Sequence, residues 1–224
     1  MLLDDMYTEM ELFGFDDFDD SQKLLLLNEA YFDIVTREPW PFMEKMVEFT
    51  VPSGTTQITN NPVLTMIVNN QTLTNQSITD VNSVLSFTDI THNVIMVPQR
   101  TDTIEKNYKI NNLTTYPEFY YFVDENIFVY PAVSGTTTYR LFYVRTPVAA
   151  TTTSDTFLIP ARHHSVIVYG ALVKAFLVND DPQAAAFQNM FEQRYQQMRN
   201  DAWMNQYDRT DRVHVLTDSY DWNY

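Results

Sequence analysis

The run VIVYGALVKAFLV at residues 166–178 constrains this chain more than any other stretch. It is apolar on nearly every face of a 3.6-residue period, and such a helix belongs at the centre of a protein or in a membrane. A bilayer takes about 20 apolar residues, so this shorter run is expected as a buried core helix. Gly170, Ala171 and Ala175 fall on adjoining turns of it. Glycine in mid-helix costs about 1 kcal/mol against alanine, and close approach of a neighbouring backbone is the expected compensation. Pro160 suits the first helical turn, where its missing N–H is no loss. Asn-Asp-Asp-Pro at 179–182 stops this helix and starts another, with Asp181 as N-cap and Pro182 at the first helical position. Phe187, Met190, Phe191, Tyr195, Met198 and Ala202 then form one stripe. Residues 159–204 thus read as a helical hairpin, a buried helix leaning antiparallel on an amphipathic one.

The other end of the chain is also helical in pattern. Residues 1–20 carry eight carboxylates and no Lys or Arg. Leu2, Leu3, Met6, Met10 and Phe13 have helical spacing, which predicts a short helix up to Gly14. A second helix is expected over 21–37, capped by Asp20 or Ser21, with Leu24, Leu27, Tyr31, Ile34 and Val35 on its apolar face. Leu25 and Phe32 add a second apolar strip, so two neighbours are expected. Pro39 and Pro41 forbid continued helix, and Trp40 with Phe42 is expected to plug the joint that follows. The acidic turn at Asp16, Asp17, Asp19 and Asp20 lacks the spaced ligands, central Gly and closing Glu of an EF-hand. It reads as a charged cap, and no metal is expected.

Between about residues 46 and 148 the helical period vanishes, and Thr, Asn, Val, Ile and aromatics dominate. Strands are expected at 47–51, 63–68, 84–87, 94–97, 119–123, 127–130 and 139–144, with a short helix or turn at 101–109. The clearest hairpin is EFYYFVDENIFVYP, two aromatic strands around Asp124, Glu125 and Asn126. The fold class is therefore α+β. Residues 1–45 and a C-terminal helical hairpin at 151–204 make an antiparallel helical bundle, and 46–150 form an inserted antiparallel β-rich sheet or sandwich. Residues 205–224 have no helical period and are expected as an extended tail. Frayed tails are usually small and polar. This one offers large apolar side chains of the kind that anchor interfaces: Trp203 at its root, then Tyr207, Val213, Leu216, Tyr220, Trp222 and Tyr224.

Composition narrows the chemistry. The formal net charge of −15 argues against tracking a phosphate backbone, which needs clustered Lys and Arg. It suits a surface that must not hold DNA, although solubility alone is the plainer reading. No cysteine is present, so disulfides, thiolate nucleophiles and Cys-based zinc sites are out. The first twenty residues lack a basic n-region and are not expected to be a signal peptide. His163 and His164 are adjacent, whereas ligands on one helix face sit three or four apart. Nucleophile-elbow, phosphate-loop, dinucleotide and zinc-protease motifs are missing. Four glycines cannot build a glycine-rich phosphate cradle. Accordingly no catalytic, cofactor-binding or metal-binding residue is expected, and no cofactor. A glycosidase would need two carboxyls about 5–10 Å apart across a cleft. Asp124 and Glu125 look like turn residues instead.

Taken together, LLNEAYFDIVTREPWPFM, YPEFYYFVDENIFVYP, YRLFYVRTP and FLIPARHHSVIVYGALVKAFLVNDDPQAAAFQNMFEQRYQQM, in that order, resemble the head-to-tail connector (portal adaptor) proteins of tailed bacteriophages. The helix ending in Trp-Pro and the Ile-Pro-x-x-x-His-x-x-Ile-x-x-Gly-Ala helix are the most telling pieces. Tyr116 before Pro117 departs from the pattern, where a small residue is expected. The resemblance implies a non-enzymatic structural protein of the virion, made in the host cytoplasm and placed at the head–tail interface, with no membrane contact. Copies would form a ring, usually of twelve, beneath the portal protein and extend the DNA channel. Double-stranded DNA would pass through without specific binding. The aromatic tail would dock on the portal, and loops of the β insertion would meet tail, nozzle or other neck proteins. Two alternatives stand beside this reading: a virion-associated cell-wall hydrolase, and a tail glycan- or receptor-binding protein using the aromatic sheet.

Overall fold

The computed structural model describes residues 2–62, 64–68, 71–108, 116–179 and 181–217, with the backbone alone at 67–68, 71, 107–108 and 205–217. In chain order the elements begin with α1 (Leu3–Leu12), α2 (Asp20–Arg37), β1 (Glu44–Val51), β2 (Leu64–Val68), β3 (Gln71–Gln76), β4 (Val81–Asp89), β5 (Val94–Ile95) and β6 (Val97–Pro98). There follow the short α3 (Thr101–Thr103), β7 (Phe119–Val123), β8 (Asn126–Tyr130), β9 (Thr137–Arg145), α4 (His164–Val178) and α5 (Ala184–Thr217). They divide into two compact units, Met1–Met43 with Pro147–Tyr224, and Glu44–Thr146. The chain is mixed α and β, as its two periodicities imply.

The first unit is helical. Leu3, Met6, Tyr7 and Met10 are the buried stripe of α1, and Gly14 breaks off beyond it with φ +92°. The cap of α2 is Asp19, one residue before the expected Asp20 or Ser21. Its Oδ1 accepts from the Gln22 backbone N–H at 2.8 Å, and Gln22 Oε1 accepts from the Asp19 backbone N–H at 3.0 Å. Only from Asp19 does a glutamine stand three residues on, and that reciprocal pair selects the start. Leu27, Tyr31, Ile34 and Val35 are buried, and Leu24 is half-buried. The expected second strip fails at Leu25, which is 59% exposed. Trp40 is buried, donates from Nε1 to the Ile34 carbonyl at 2.9 Å and stacks on Phe42.

A 3-10 turn at Ala161–His163 leads into α4, which buries residues on all sides from His164 to Phe176. The corner before α5 is held by Asp181, whose Oδ1 accepts from the Gln183 backbone N–H at 2.8 Å. The two helices run antiparallel. Phe176 stacks on Phe187 with centroids 4.8 Å apart, while Gly170, farther back along α4, meets Phe191. Phe187, Phe191, Tyr195 and Met198 are buried as the stripe predicts, whereas Met190 is exposed. One expectation is corrected here. Residues 205–217 carry helical backbone as the continuation of α5, where an extended tail was expected. No Gly or Pro occurs between Ala184 and Thr217, so nothing breaks the hydrogen-bond ladder.

The second unit holds two sheets. Six strands run in the order β3-β2-β1-β9-β4-β5, and three in the order β6-β7-β8. The long β1/β9 pair is antiparallel from Glu44↔Val144 to Val51↔Thr137. Along β9, Thr137, Tyr139, Leu141 and Tyr143 point into the core and the residues between them point out, the period of a half-buried strand. The sheets share this core, with Phe87 of β4 edge-on to Tyr120 of β7 at 5.6 Å. The β7–β8 turn places Asp124 and Glu125 at φ +48° and +65°, the left-handed pair that a two-residue hairpin loop requires. Against the antiparallel expectation, β6 pairs with β7 in parallel, Val97 opposite Phe119. Residues 99–118 between them are long enough for the crossover a parallel pair needs. β3 had no counterpart among the expected strands, because QTLTNQ lacks the apolar alternation that marks one.

Candidate functional site

The helical hairpin is built around one missing side chain. A Cβ at Gly170 would stand 3.1 Å from Ala30 Cβ on α2 and 3.2 Å from Phe191 Cε2 on α5. Three helices therefore close on this residue. Ala171 and Ala175 are fully buried on the same helix. Around this contact α5 is pinned by polar groups. The Arg37 guanidinium lies 5.0 Å from the ring centroids of both Phe191 and Tyr195, a cation–π arrangement, and reaches Glu192 at 3.5 Å. Tyr195 donates its hydroxyl to Glu38 Oε1 at 2.7 Å, and Arg199 Nε donates to Glu38 Oε2 at 3.2 Å. Burial first, then that bond to the Glu38 carboxylate, pushes the Tyr195 phenol well above its ordinary value. Phe187 to Met198 is thus a fixed platform.

The face of α5 turned away from this core has a different chemistry. Gln193, Gln196, Gln197 and Asn200 line a shallow, open depression of about 750 Å³, bordered by Glu192, Asp201 and Met204. Between Ala184 and Met204 the charges are Glu192 and Asp201 against Arg194 and Arg199, a balance of zero. Residues 1–20, by contrast, hold eight of the chain's carboxylates with no cation among them. In the sequence the apolar stripe dominates this segment, and the amides carry a quieter signal of their own, a spacing of four from Gln193 to Gln197 and from Gln196 to Asn200.

Of the seven expected interface anchors, Trp203 is the one with a described side chain; it lies half-buried on α5. Tyr207, Val213 and Leu216 fall on the helical backbone of α5, and Tyr220, Trp222 and Tyr224 lie outside the described residues. The three histidines with described side chains have local partners. His164 Nε2 meets the Ile159 carbonyl at 2.7 Å, His163 accepts from Arg162 Nε at 2.9 Å, and His92 pairs with the buried Asp89 at 2.7 Å. His92 also stacks on Tyr116, the residue that departs from the connector pattern. Among the described residues no group of three or more His, Cys, Asp or Glu is placed to hold a metal ion. Asp124 and Glu125 are exposed on the hairpin tip rather than facing each other across a cleft. No described helix is long and apolar enough to cross a membrane. What the arrangement offers is surface: a rigid helix with an amide-rich face, and a strongly acidic first segment.

Compared with known families, the chain matches the SU10 adaptor protein family over residues 1–215. No curated protein matches the chain.

Proposed function

From a chain that belongs to the SU10 adaptor protein family, as the connector-like order of its motifs anticipated, we propose a structural head-to-tail connector of a tailed phage. Copies assemble as a ring beneath the portal, extend the DNA channel and offer the β unit to tail, nozzle or other neck proteins. The observation that carries this reading is the family match over residues 1–215. The acidic segment at residues 1–20 supports it, since like charge keeps a DNA backbone from adhering to the wall it slides past. The residues beyond Met204 serve as the portal-docking segment, with Tyr207, Val213, Leu216, Tyr220, Trp222 and Tyr224 as anchors and Trp203 at their root.

Native mass spectrometry of the chain mixed with the portal of the same virion tests the reading. The expected result is a discrete complex whose copy number follows the portal's symmetry. A folded chain that forms no complex overturns it. Truncation after Met204 should leave the melting temperature within a few degrees of the full chain and abolish the complex; unchanged portal binding would remove the docking role from the tail.

A further inference from the structure

We propose that the amide face of α5, centred on Gln193, Gln196, Gln197 and Asn200, is the surface through which one copy meets the next. This rests on the ring reading above and names the face that the ring would use. Each copy carries −15, so neighbours brought side by side repel unless the surfaces that touch are locally neutral. Screening leaves charges within about 8 Å of one another interacting at physiological salt, which is the range that matters across a contact. Over residues 184–204 α5 as a whole balances to zero, and of the two acids bordering its amide face, Glu192 and Asp201, the first is paired with Arg37 at 3.5 Å. The first segment, at eight carboxylates and no cation, is the surface least able to meet a copy of itself.

Chemistry points the same way. An amide side chain has two N–H donors and a carbonyl acceptor, so a row of them is satisfied by another such row or by any backbone. Among the described residues Gln193, Gln196 and Asn200 make no side-chain hydrogen bond, whereas Gln197 accepts from Arg194 at 3.3 Å. The four amides stand exposed on this face, free to meet a partner. The helix beneath is held by Glu38, Arg37 and the Gly170 contact, so the face is pre-organised and little ordering is required on docking. The exposed Met204 at one end supplies an apolar border. The other obvious route to self-association, strand pairing at the edges of the six-stranded sheet, is less well prepared. β5 at one edge spans only Val94–Ile95, and β3 at the other is bulged against β2; short and bulged edges resist pairing.

A photo-cross-linking residue, benzoylphenylalanine, placed at Gln197 or separately at Gln193, tests this on the full chain assembled with its portal. A control carries it at the exposed Asp17. Rings are assembled from equal parts of ¹⁵N-labelled and unlabelled chain, so that cross-links between copies appear as mixed-isotope peptide pairs. Mixed pairs from positions 193 and 197, and none from position 17, are expected. Cross-links from 193 and 197 to portal or tail protein, or only within one chain, in rings that form normally, overturn the inference and leave the connector reading standing. Failure of the unmodified chain to form rings on the portal overturns both. The double variant Gln193→Glu with Gln197→Glu supplies a second readout. It should assemble poorly at 0.1 M salt and recover towards 1 M, where the screening length shrinks from about 10 Å to 3 Å. Assembly indistinguishable from the unmodified chain at 0.1 M salt counts against the proposal.

Discussion

The two units solve the same problem, burying apolar surface, in opposite ways. In the helical unit α4 is buried on every side, so its neighbours must come close, and a position without a side chain admits them at Gly170. In the β unit β1, β8 and β9 bury alternate residues along most of their length, and large rings such as Phe49, Phe87 and Tyr139 fill the space between sheets. The first core is limited by lack of room and the second depends on filling it. Adding volume should therefore hurt the helical unit, and removing volume should hurt the β unit. Buried charge differs likewise. Lys23 in the helical unit is nearly fully buried and paired with Glu11 at 2.6 Å. Asp89 in the β unit is closed in by the turn that its own carboxylate organises, accepting from the His92 backbone N–H at 2.9 Å.

The largest expected effect tests the filled core. Phe49→Ala empties a fully buried site beside Phe87 and Tyr139 and should cost about 3–5 kcal/mol, read as a lowered urea midpoint at unchanged slope. A loss below about 1 kcal/mol would mean that the sheets collapse onto the gap, contrary to the close packing expected of protein interiors. Next comes the crowded core. Gly170→Leu should cost about 1–3 kcal/mol, and adding Ala30→Gly should return part of that loss. An unchanged melting curve for the single variant would break the contrast between the units.

The smallest effect sharpens the comparison through pH. His163 is buried at the start of α4, and burial first, then the Arg162 charge, hold its imidazole below the ordinary 6.5, with Asp201 opposing. The folded unit therefore keeps His163 neutral where the unfolded chain would protonate it. Its contribution to stability is full above pH 6.5 and is lost as pH falls through the folded value. The melting temperature should fall on acidification below pH 6.5, and the fall should be shallower in His163→Gln, whose amide can still accept from Arg162. An identical pH profile in the variant would show that another group sets the slope.

What the sequence determined by itself lies within single elements. The period of residues 166–178 and the stripe from Phe187 to Met198 placed two helices. Gly14 ended α1, and Asp124 with Glu125 marked the tip of the aromatic hairpin. Each follows from backbone and side-chain preferences of residues a few positions apart. The tertiary structure decided the rest. It set the parallel register of Val97 against Phe119, gave β3 a partner, and left Leu25 in solvent although Leu24 and Leu26 beside it are half-buried. It also brought Glu38 to Tyr195 across 157 positions, and so chose which side of α5 is core and which side presents the amides. A local pattern records what a residue prefers, but pairing and exposure depend on which distant segment arrives to cover it. For the same reason the apolar stripe of α5 was legible as core, while its amide face acquired meaning only once the other side was occupied.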